Sequence, residues 1–256
     1  MTSNCNTTDP RADLIEQLAR AGEQLPDAVR VYIRMQGAAV VPDLIAILED
    51  EDLAHSEAPG EGYVPVHAAT ILRDLKAVEA IEPMLRVLEQ CDVEDVLYST
   101  LVFRLKDFGE LVVEPALKAY ECAHSDDYRT ALAEILAGAG ARHEKILPVL
   151  VKTLKKNPVV GAGVMADYGD PAALPYLSAA LDKLKVDNRG GWLANAEIFE
   201  LAEAIEELGG TFTPSQARKV QAVRAQREAS TRAHKPKRDL MLPFLSPRLD
   251  DKGWPR

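Results

Sequence analysis

Aromatic residues, cysteines and long apolar runs are all scarce in this chain of 256 residues. Phe, Trp and Tyr together make up only 5% of the sequence. No apolar run approaches the roughly 18–20 residues that a membrane span requires, so no membrane association is expected. The polar first residues show no basic region followed by an apolar stretch, and we expect no signal peptide. The wide spacing of Cys5, Cys91 and Cys122 indicates reduced thiols, which favours a cytoplasmic protein.

The short motifs that mark common catalytic and nucleotide-binding sites are also missing. The sequence contains no GxxxxGK(S/T), HExxH, GxSxG or EF-hand pattern. Its five histidines are scattered, and none stands at ligand spacing to another. The four adjacent carboxylates of residues 49–52 lack the preset geometry of a calcium site, and a solvated loop or a contact for a basic partner fits them better. We expect no catalytic residue, no metal and no cofactor.

Charge is distributed unevenly along the chain, whose formal net charge is −10. Residues 1–213 carry 19 basic and 36 acidic side chains, whereas residues 214–238 carry 8 basic and 1 acidic side chain. An acidic body repels phosphate backbones, so a nucleic-acid partner is disfavoured. Any such contact would have to use the basic segment from Arg218 to Arg238.

A recurring proline is the strongest pattern that is present. A leucine follows each copy two residues later, and an apolar residue precedes it by two; the prolines are Pro42, Pro83, Pro115, Pro148 and Pro175. Successive copies are 41, 32, 33 and 27 residues apart. Self-similarity at this period is typical of helical repeats. Because proline is favoured in the first turn of a helix, each copy is predicted to open the second helix of a helical hairpin.

Apolar spacings of three and four residues place the remaining helices. First helices are predicted at about 26–35, 66–75, 93–105, 127–136 and 161–168, and second helices at 43–48, 84–88, 116–120, 149–154 and 176–181. Glycines that fall after first helices are predicted to end them in a left-handed conformation; they are Gly37, Gly109, Gly138, Gly140 and Gly169. The glycines at 161 and 163 are interpreted as turn residues, and residues 49–62 as a loop without an extra helix.

These elements predict an all-α fold, a right-handed α-solenoid of about six antiparallel helical hairpins whose second helices line the concave side. Residues 1–230 form the solenoid, and residues 184–230 form a degenerate capping hairpin with helices at about 192–208 and 213–229. Residues 231–256 are interpreted as a basic, Pro-rich extended tail. Its apolar cluster at 240–245 is expected to pack back on the solenoid or to contact a partner.

The stretch from Tyr168 to Leu177 reads Gly-Asp-Pro, a small residue, an apolar residue, proline and leucine, and His67 to Leu85 is similar. This pattern resembles HEAT repeats, specifically the short bacterial kind of phycobilisome-lyase-like proteins. The resemblance covers residues 26–184 well and 192–229 loosely. It implies the fold but no single function, because such repeats serve as scaffolds, lyases, other enzymes and inhibitors.

The residue patterns that mark two groups of HEAT-like enzymes are not present in this sequence. HEAT-like hydroxylases bind paired irons through several His-Glu dipeptides, whereas this chain has only His143–Glu144. HEAT-like DNA glycosylases use a basic concave face with aromatic and Asp residues, whereas these repeats are acidic and poor in aromatics. Lyase activity, or another activity in a pocket assembled from distant residues, stays open as an alternative.

Non-catalytic binding of another protein, a basic one among the options, is therefore the leading hypothesis. The candidate contact residues on the second helices are Asp43, Arg86, Lys118, Lys152 and Asp182. Those of the basic helix and the tail are Arg218, Arg224, Arg227, Leu242 and Phe244. The basic segment could contact a partner or nucleic acid, form a solvated cap, or lie against the acidic body. A further alternative is an immunity or inhibitor protein whose acidic body blocks a basic toxin or enzyme.

Overall fold

The structure, a computed structural model, describes residues 9–188 and 192–234. These residues form thirteen α-helices connected by short 3₁₀ turns and loops, and no β-strand occurs among them. The prediction of an all-α fold is confirmed. The chain divides into two compact units, one ending at Ala173 and one beginning at Leu174.

The first unit contains ten helices. They are α1 (Pro10–Ala19), α2 (Asp27–Met35), α3 (Val41–Leu48), α4 (Tyr63–Asp74), α5 (Ile81–Gln90), α6 (Val96–Lys106), α7 (Val113–Cys122), α8 (Asp126–Gly138), α9 (Ile146–Lys156) and α10 (Pro158–Tyr168). Each repeated proline of this unit lies in the first turn of its helix, as predicted; they are Pro42, Pro83, Pro115 and Pro148. A 3₁₀ turn immediately precedes α3, α5 and α7.

Helices of the first unit pack against their neighbours in two alternating sets. Helix α4 contacts α2 and α6, α6 contacts α8, and α8 contacts α10, whereas α5 lies against α3 and α7. The two sets meet where α3 packs on α4, α5 on α6, α7 on α8 and α9 on α10. Fully buried leucines and isoleucines fill these contacts, among them Leu44, Leu72, Leu101, Leu132 and Leu150. Each such side chain contributes about 1.5–3 kcal/mol on burial.

Helix α1 was not predicted from the sequence. Asp9 caps it by accepting a hydrogen bond from the backbone N–H of Arg11 at 3.1 Å, and Leu14 and Leu18 are buried against α3 and α4. The four-residue spacing of these leucines was the available signal. Residues 49–62 contain only a 3₁₀ turn at Glu51–Leu53 and irregular turns, so the prediction that they hold no extra α-helix is confirmed.

Two glycine predictions need correction. Gly138 lies inside α8 rather than at its left-handed end, whereas Gly169 caps α10 with φ of 66° as expected. Gly161 is a helical residue of α10 and not a turn residue. A Cβ added at Gly161 would lie 2.2 Å from Leu154 Cα, so glycine lets the backbones of α9 and α10 approach closely.

The second unit contains three α-helices within its described residues. They are α11 (Leu174–Lys183), α12 (Ala196–Glu207) and α13 (Pro214–His234), and a 3₁₀ turn at Trp192–Asn195 precedes α12. Helix α12 packs against α11 and α13. Pro175 lies in the first turn of α11. Helix α13 begins at Pro214 and continues to His234, past the predicted end near Ala229.

In the described part of the chain, no individual helix has both the length and the hydrophobicity needed to cross a membrane. One pair of segments, Asp27–Met35 and Gly37–Leu48, is long and apolar enough when the two are taken together. The pair is bent by 103°.

Candidate functional site

A cleft of about 700 Å³ lies in the first unit between two loops that follow second helices. One loop continues from α3 and leads to α4, and the other connects α5 to α6. The acidic cleft, as we call it, is lined by residues 48–51, 54–56, 61–63, 66, 87, 90–92 and 94–97. It therefore occupies the edge of the helix stack where second helices end and first helices begin.

Carboxylates dominate the wall of the acidic cleft. Seven line it, namely Glu49, Asp50, Glu51, Glu61, Asp92, Glu94 and Asp95, and no Lys or Arg is among the lining residues. Two are neutralised from outside the wall: Arg86 binds Glu49 at 2.6 Å, and Arg11 binds Asp50 at 2.6 Å. The other five form no ion pair with any described residue. The cleft thus concentrates unpaired negative charge.

The floor of the acidic cleft is apolar. Leu48, Val87 and Leu97 are buried core residues that also reach the cavity, and Val66 and Tyr63 are partly accessible at the start of α4. Apolar surface below a charged rim suits an amphipathic ligand, because the aliphatic stems of long cationic side chains pack on apolar surface while their charged heads reach the rim.

Local helix stability does not explain Glu49 and Glu61 in the wall of the cleft. Glu49 is the C-cap residue of α3, where negative charge opposes the helix dipole at a cost of about 0.3–1 kcal/mol. Glu61 adopts a left-handed backbone with φ of 55°, which is uncommon for a residue other than glycine. Asp95 is the N-cap of α6, yet its side chain accepts from the backbone N–H of Asp92 at 3.1 Å instead of capping the helix.

Cys91 is the one cysteine in the wall of the acidic cleft. Burial, together with the negative charges of Asp95 and Asp92, raises the pKa of its thiol to about 11. The thiol is therefore protonated at neutral pH and a poor nucleophile or metal ligand. Cys91 is therefore a poor candidate for covalent chemistry in this wall.

No group of three or more His, Cys, Asp and Glu side chains in the described residues is arranged to hold a metal ion. The carboxylates are spread around the cleft rather than converging on one point, which fits an extended cationic ligand better than a single cation. No protein-family model and no curated protein matches this sequence at a significant level.

The five candidate residues on second helices do not form one site. Arg86 lies at the rim of the acidic cleft, Asp43 is half-buried on α3, and Lys118 is exposed on α7. The Lys152 ammonium lies 5.7 Å from the ring centre of Tyr120, in a groove between α7 and α9. Asp182 belongs to the second unit, where it accepts a hydrogen bond from Gln216 Nε2 at 3.0 Å.

The basic residues of α13 are largely engaged within the second unit. Arg224 binds Glu203 and Glu206 of α12, each at 2.6 Å, and the hydrogen bonds that its guanidinium donates to these carboxylates raise its pKa. The Arg227 guanidinium lies 3.8 Å from the ring centre of Phe199, and exposed Arg218 donates to the carbonyl of Pro214 at 3.2 Å. Leu242 and Phe244 lie outside the described residues.

Sequence reasoning identified only half of the acidic cleft. Residues 49–52 were interpreted as a solvated loop or a contact for a basic partner, and Asp92, Glu94 and Asp95 were not selected. A signal was present: the run 91–95 follows the second helix opened by Pro83, as the run 49–52 follows the helix opened by Pro42. Acidic runs at the same position of consecutive repeats were to be expected at the same edge of a repeat stack.

Proposed function

We propose that this protein is a non-catalytic protein–protein interaction module that binds a basic segment of a partner protein in its acidic cleft. Five unpaired carboxylates above an apolar floor are the single observation that carries the proposal. In this proposal the helical hairpins form a HEAT-like, right-handed solenoid with its second helices on the concave side.

The chemistry of the cleft selects lysine and arginine side chains. Their charged heads would meet Glu51, Glu61, Asp92, Glu94 and Asp95 at the rim, and arginine offers paired N–H donors to a carboxylate. Their aliphatic stems would cover the floor near Val66 and Leu97. Complementary charge mainly raises the association rate and selects the partner, so we expect binding that weakens with salt.

Three observations favour a protein partner over the alternatives of nucleic acid or an enzyme substrate. The acidic wall repels phosphate groups. The cation of Arg224 on α13 is already neutralised by glutamates, and Lys219 donates to the carbonyls of Leu181 and Asp182. The Cys91 thiol is unreactive in its surroundings. Free thiols at Cys91 and Cys122 support a reducing compartment such as the cytoplasm.

An inhibitor or immunity role is a narrower form of the same proposal. It holds if the basic segment belongs to the active site of a toxin or enzyme, because a partner seated in the acidic cleft would then lose access to its substrate. The unpaired carboxylates favour this role as well as simple docking. Loss of the partner's activity on complex formation distinguishes it from docking alone.

The test uses the full chain and a short fluorescein-labelled peptide of alternating Arg and Leu as the probe. Fluorescence anisotropy is measured at about 50 mM and about 300 mM NaCl, where screening lengths differ. The double variant Asp92→Lys/Glu94→Lys is expected to weaken binding about tenfold or more. A control with the same charge change, Glu110→Lys/Glu207→Lys, alters exposed carboxylates outside the cleft and is expected to weaken binding far less.

An equal loss of peptide affinity in the two double variants would contradict the proposal, because the loss would then depend only on net charge. Absence of binding to the unaltered chain at the lower salt concentration would contradict it as well. Circular dichroism of both variants tests whether they remain folded, which is expected because all four positions are exposed.

A further inference from the structure

A second charged surface of the first unit lies at the C-terminal ends of α2, α4 and α6. Four arginines from these three helices interact there around two carboxylates, which makes a positive patch in an acidic chain. The arginine cluster comprises Arg30, Arg34, Arg73 and Arg104, together with Asp74 and Asp107.

The carboxylates of the cluster form ion pairs with two of its arginines. Asp74, whose side chain is 3% exposed, is bound by Arg30 Nε and lies 3.2 Å from Nη1 of Arg73. Arg73 Nε also lies 3.0 Å from Asp107 Oδ2. Burial alone would raise the pKa of Asp74, but the hydrogen bond from Arg30 and the charges of Arg30, Arg73 and Arg34 outweigh it and lower the pKa.

The other two arginines have no carboxylate of their own. Neither exposed Arg34 nor half-buried Arg104 forms an ion pair with a described residue. The Nε of Arg104 is buried and has no hydrogen-bond acceptor within the described chain. Burial and the neighbouring charge of Arg73 both lower the pKa of Arg104, so this guanidinium lies in surroundings that oppose its charge. The negative charge of an incoming carboxylate would stabilise the charged form of Arg104.

Large apolar side chains are exposed beside these unpaired arginines. Met35 follows Arg34 and is 81% exposed, and Phe103 precedes Arg104 and is 59% exposed. The Arg104 guanidinium carbon lies 5.3 Å from the centre of the Phe103 ring. Arginine and exposed aromatic or methionine side chains are enriched at protein interfaces and at their energetic centres.

We propose that the arginine cluster is a second protein-binding surface, distinct from the acidic cleft, and that its occupant is an acidic segment of another protein that carries apolar side chains. Carboxylates of that segment pair with Arg34 and Arg104, and an apolar side chain covers Phe103 and Met35. A protein segment supplies both chemistries, whereas inorganic phosphate or a nucleic-acid backbone supplies only the charge.

The test measures anisotropy of a short labelled peptide in which Asp and Glu alternate with Leu and Phe, again with the full chain. Arg34→Glu is expected to weaken binding about tenfold, and Arg104→Gln several-fold. Phe103→Ser is expected to lower affinity for this peptide but not for one with the same acids and with Ser in place of Leu and Phe. Lys155→Glu, an exposed lysine on α9, is the matched control and is expected to bind with at most a small loss.

The outcomes separate this proposal from its competitors. No binding at about 50 mM NaCl, or equal loss in Arg34→Glu and Lys155→Glu, overturns it. Tighter binding of single-stranded RNA of equal charge also overturns it, as does self-association in analytical ultracentrifugation that both Arg34→Glu and Asp92→Lys abolish. If Arg104→Gln fails to fold, the Arg34→Glu and Phe103→Ser variants, which alter exposed residues, still test the proposal. The Asp92→Lys/Glu94→Lys variant is expected to retain binding of the acidic peptide. Failure of the function proposed for the acidic cleft would therefore leave this result unchanged.

Discussion

Helix α4 carries opposite chemistry at its two ends. Its first residue, Tyr63, lines the acidic cleft, and its last residue, Asp74, lies at the centre of the arginine cluster. The helix has 12 residues, which separates the two surfaces by about 18 Å along its axis. Carboxylates occur at both ends. Those of the cluster are paired, and Asp74 is buried, whereas those of the cleft are mostly unpaired.

This difference separates charges that hold the fold together from charges that are available to a partner. In the cluster, Asp74 bridges α2 and α4, and Arg73 continues the contact to α6. In the cleft, the ion pairs among the described residues that stabilise the wall are those of Glu49 and Asp50. The same carboxylate-to-amide substitution is therefore expected to have opposite effects at the two ends of α4.

The largest effect is expected for Asp74→Asn. The substitution leaves Arg30 and Arg73 without their buried carboxylate, and loss of one partner of a buried pair costs about 3–5 kcal/mol. Urea denaturation followed by circular dichroism measures this change in the free energy of unfolding. Because the folded-state pKa of Asp74 is lowered, its contribution is present above about pH 4 and is lost as the pH falls through the folded-state pKa. The difference between variant and unaltered chain should therefore shrink in acid, and a constant difference would contradict the ionic origin.

A smaller effect is expected at His67, midway along α4. Its Nε2 donates to the carbonyl of Gly22 at 2.7 Å, which ties α4 to the segment after α1. Burial lowers the pKa of His67 and outweighs the opposing hydrogen bond, so the folded state favours the neutral ring. Its stabilising contribution is complete above the unfolded pKa of about 6.5 and is lost as the pH falls through the lower, folded-state pKa.

His67→Ala is expected to cost about 1–3 kcal/mol near neutral pH, through the lost hydrogen bond and packing. Denaturation midpoints between about pH 5 and 8 check this prediction. The unaltered chain should lose stability toward the acidic end, and part of that loss should be absent in the variant. Parallel pH profiles of the two proteins would show that His67 is not the titrating group.

The smallest effect, and one of opposite sign, is expected in the acidic cleft. The triple variant Glu51→Gln/Asp92→Asn/Glu94→Gln removes unpaired like charges, so it should raise the free energy of unfolding by at most about 1 kcal/mol at low salt. The gain should fade at high salt because screening already weakens the repulsion. A loss comparable with that of Asp74→Asn would mean that the cleft carboxylates have a structural role, and the contrast between the two ends of α4 would fail.

The regular parts of the fold were predictable because proline and apolar spacing act locally. The five prolines locate the second helices, and the apolar residues locate the first helices within a few residues. Helix α1 was not predicted because its buried face consists of little more than Leu14 and Leu18. This pattern is too short to be distinguished from a polar segment. Gly161 was misassigned because its role depends on Leu154 of the adjacent helix, which no local pattern reveals.

The candidate sites were predictable only where acidic residues are adjacent in sequence. The run at 49–52 was visible, but its meeting with Asp92 and Glu94 depends on how consecutive repeats stack. The arginine cluster was not predicted, because Arg34, Arg73 and Arg104 are about 30–40 residues apart and single charges on separate helices give no pattern. Candidates chosen because they lie on second helices between core positions, such as Lys118 and Lys152, were not brought together.

The chain of contacts from Arg30 through Asp74 and Arg73 to Asp107 also fixes the alignment of α2, α4 and α6 along their axes. Interfaces built from leucine and alanine tolerate a helix that slides by one turn, about 5.4 Å, because one apolar ridge can replace another. A slide of that size would separate the guanidinium groups from their carboxylates and leave buried charges unpaired. We therefore expect these four side chains to exclude misaligned packings of the same helices, and so to set the distance between the acidic cleft and the arginine cluster at the ends of α4.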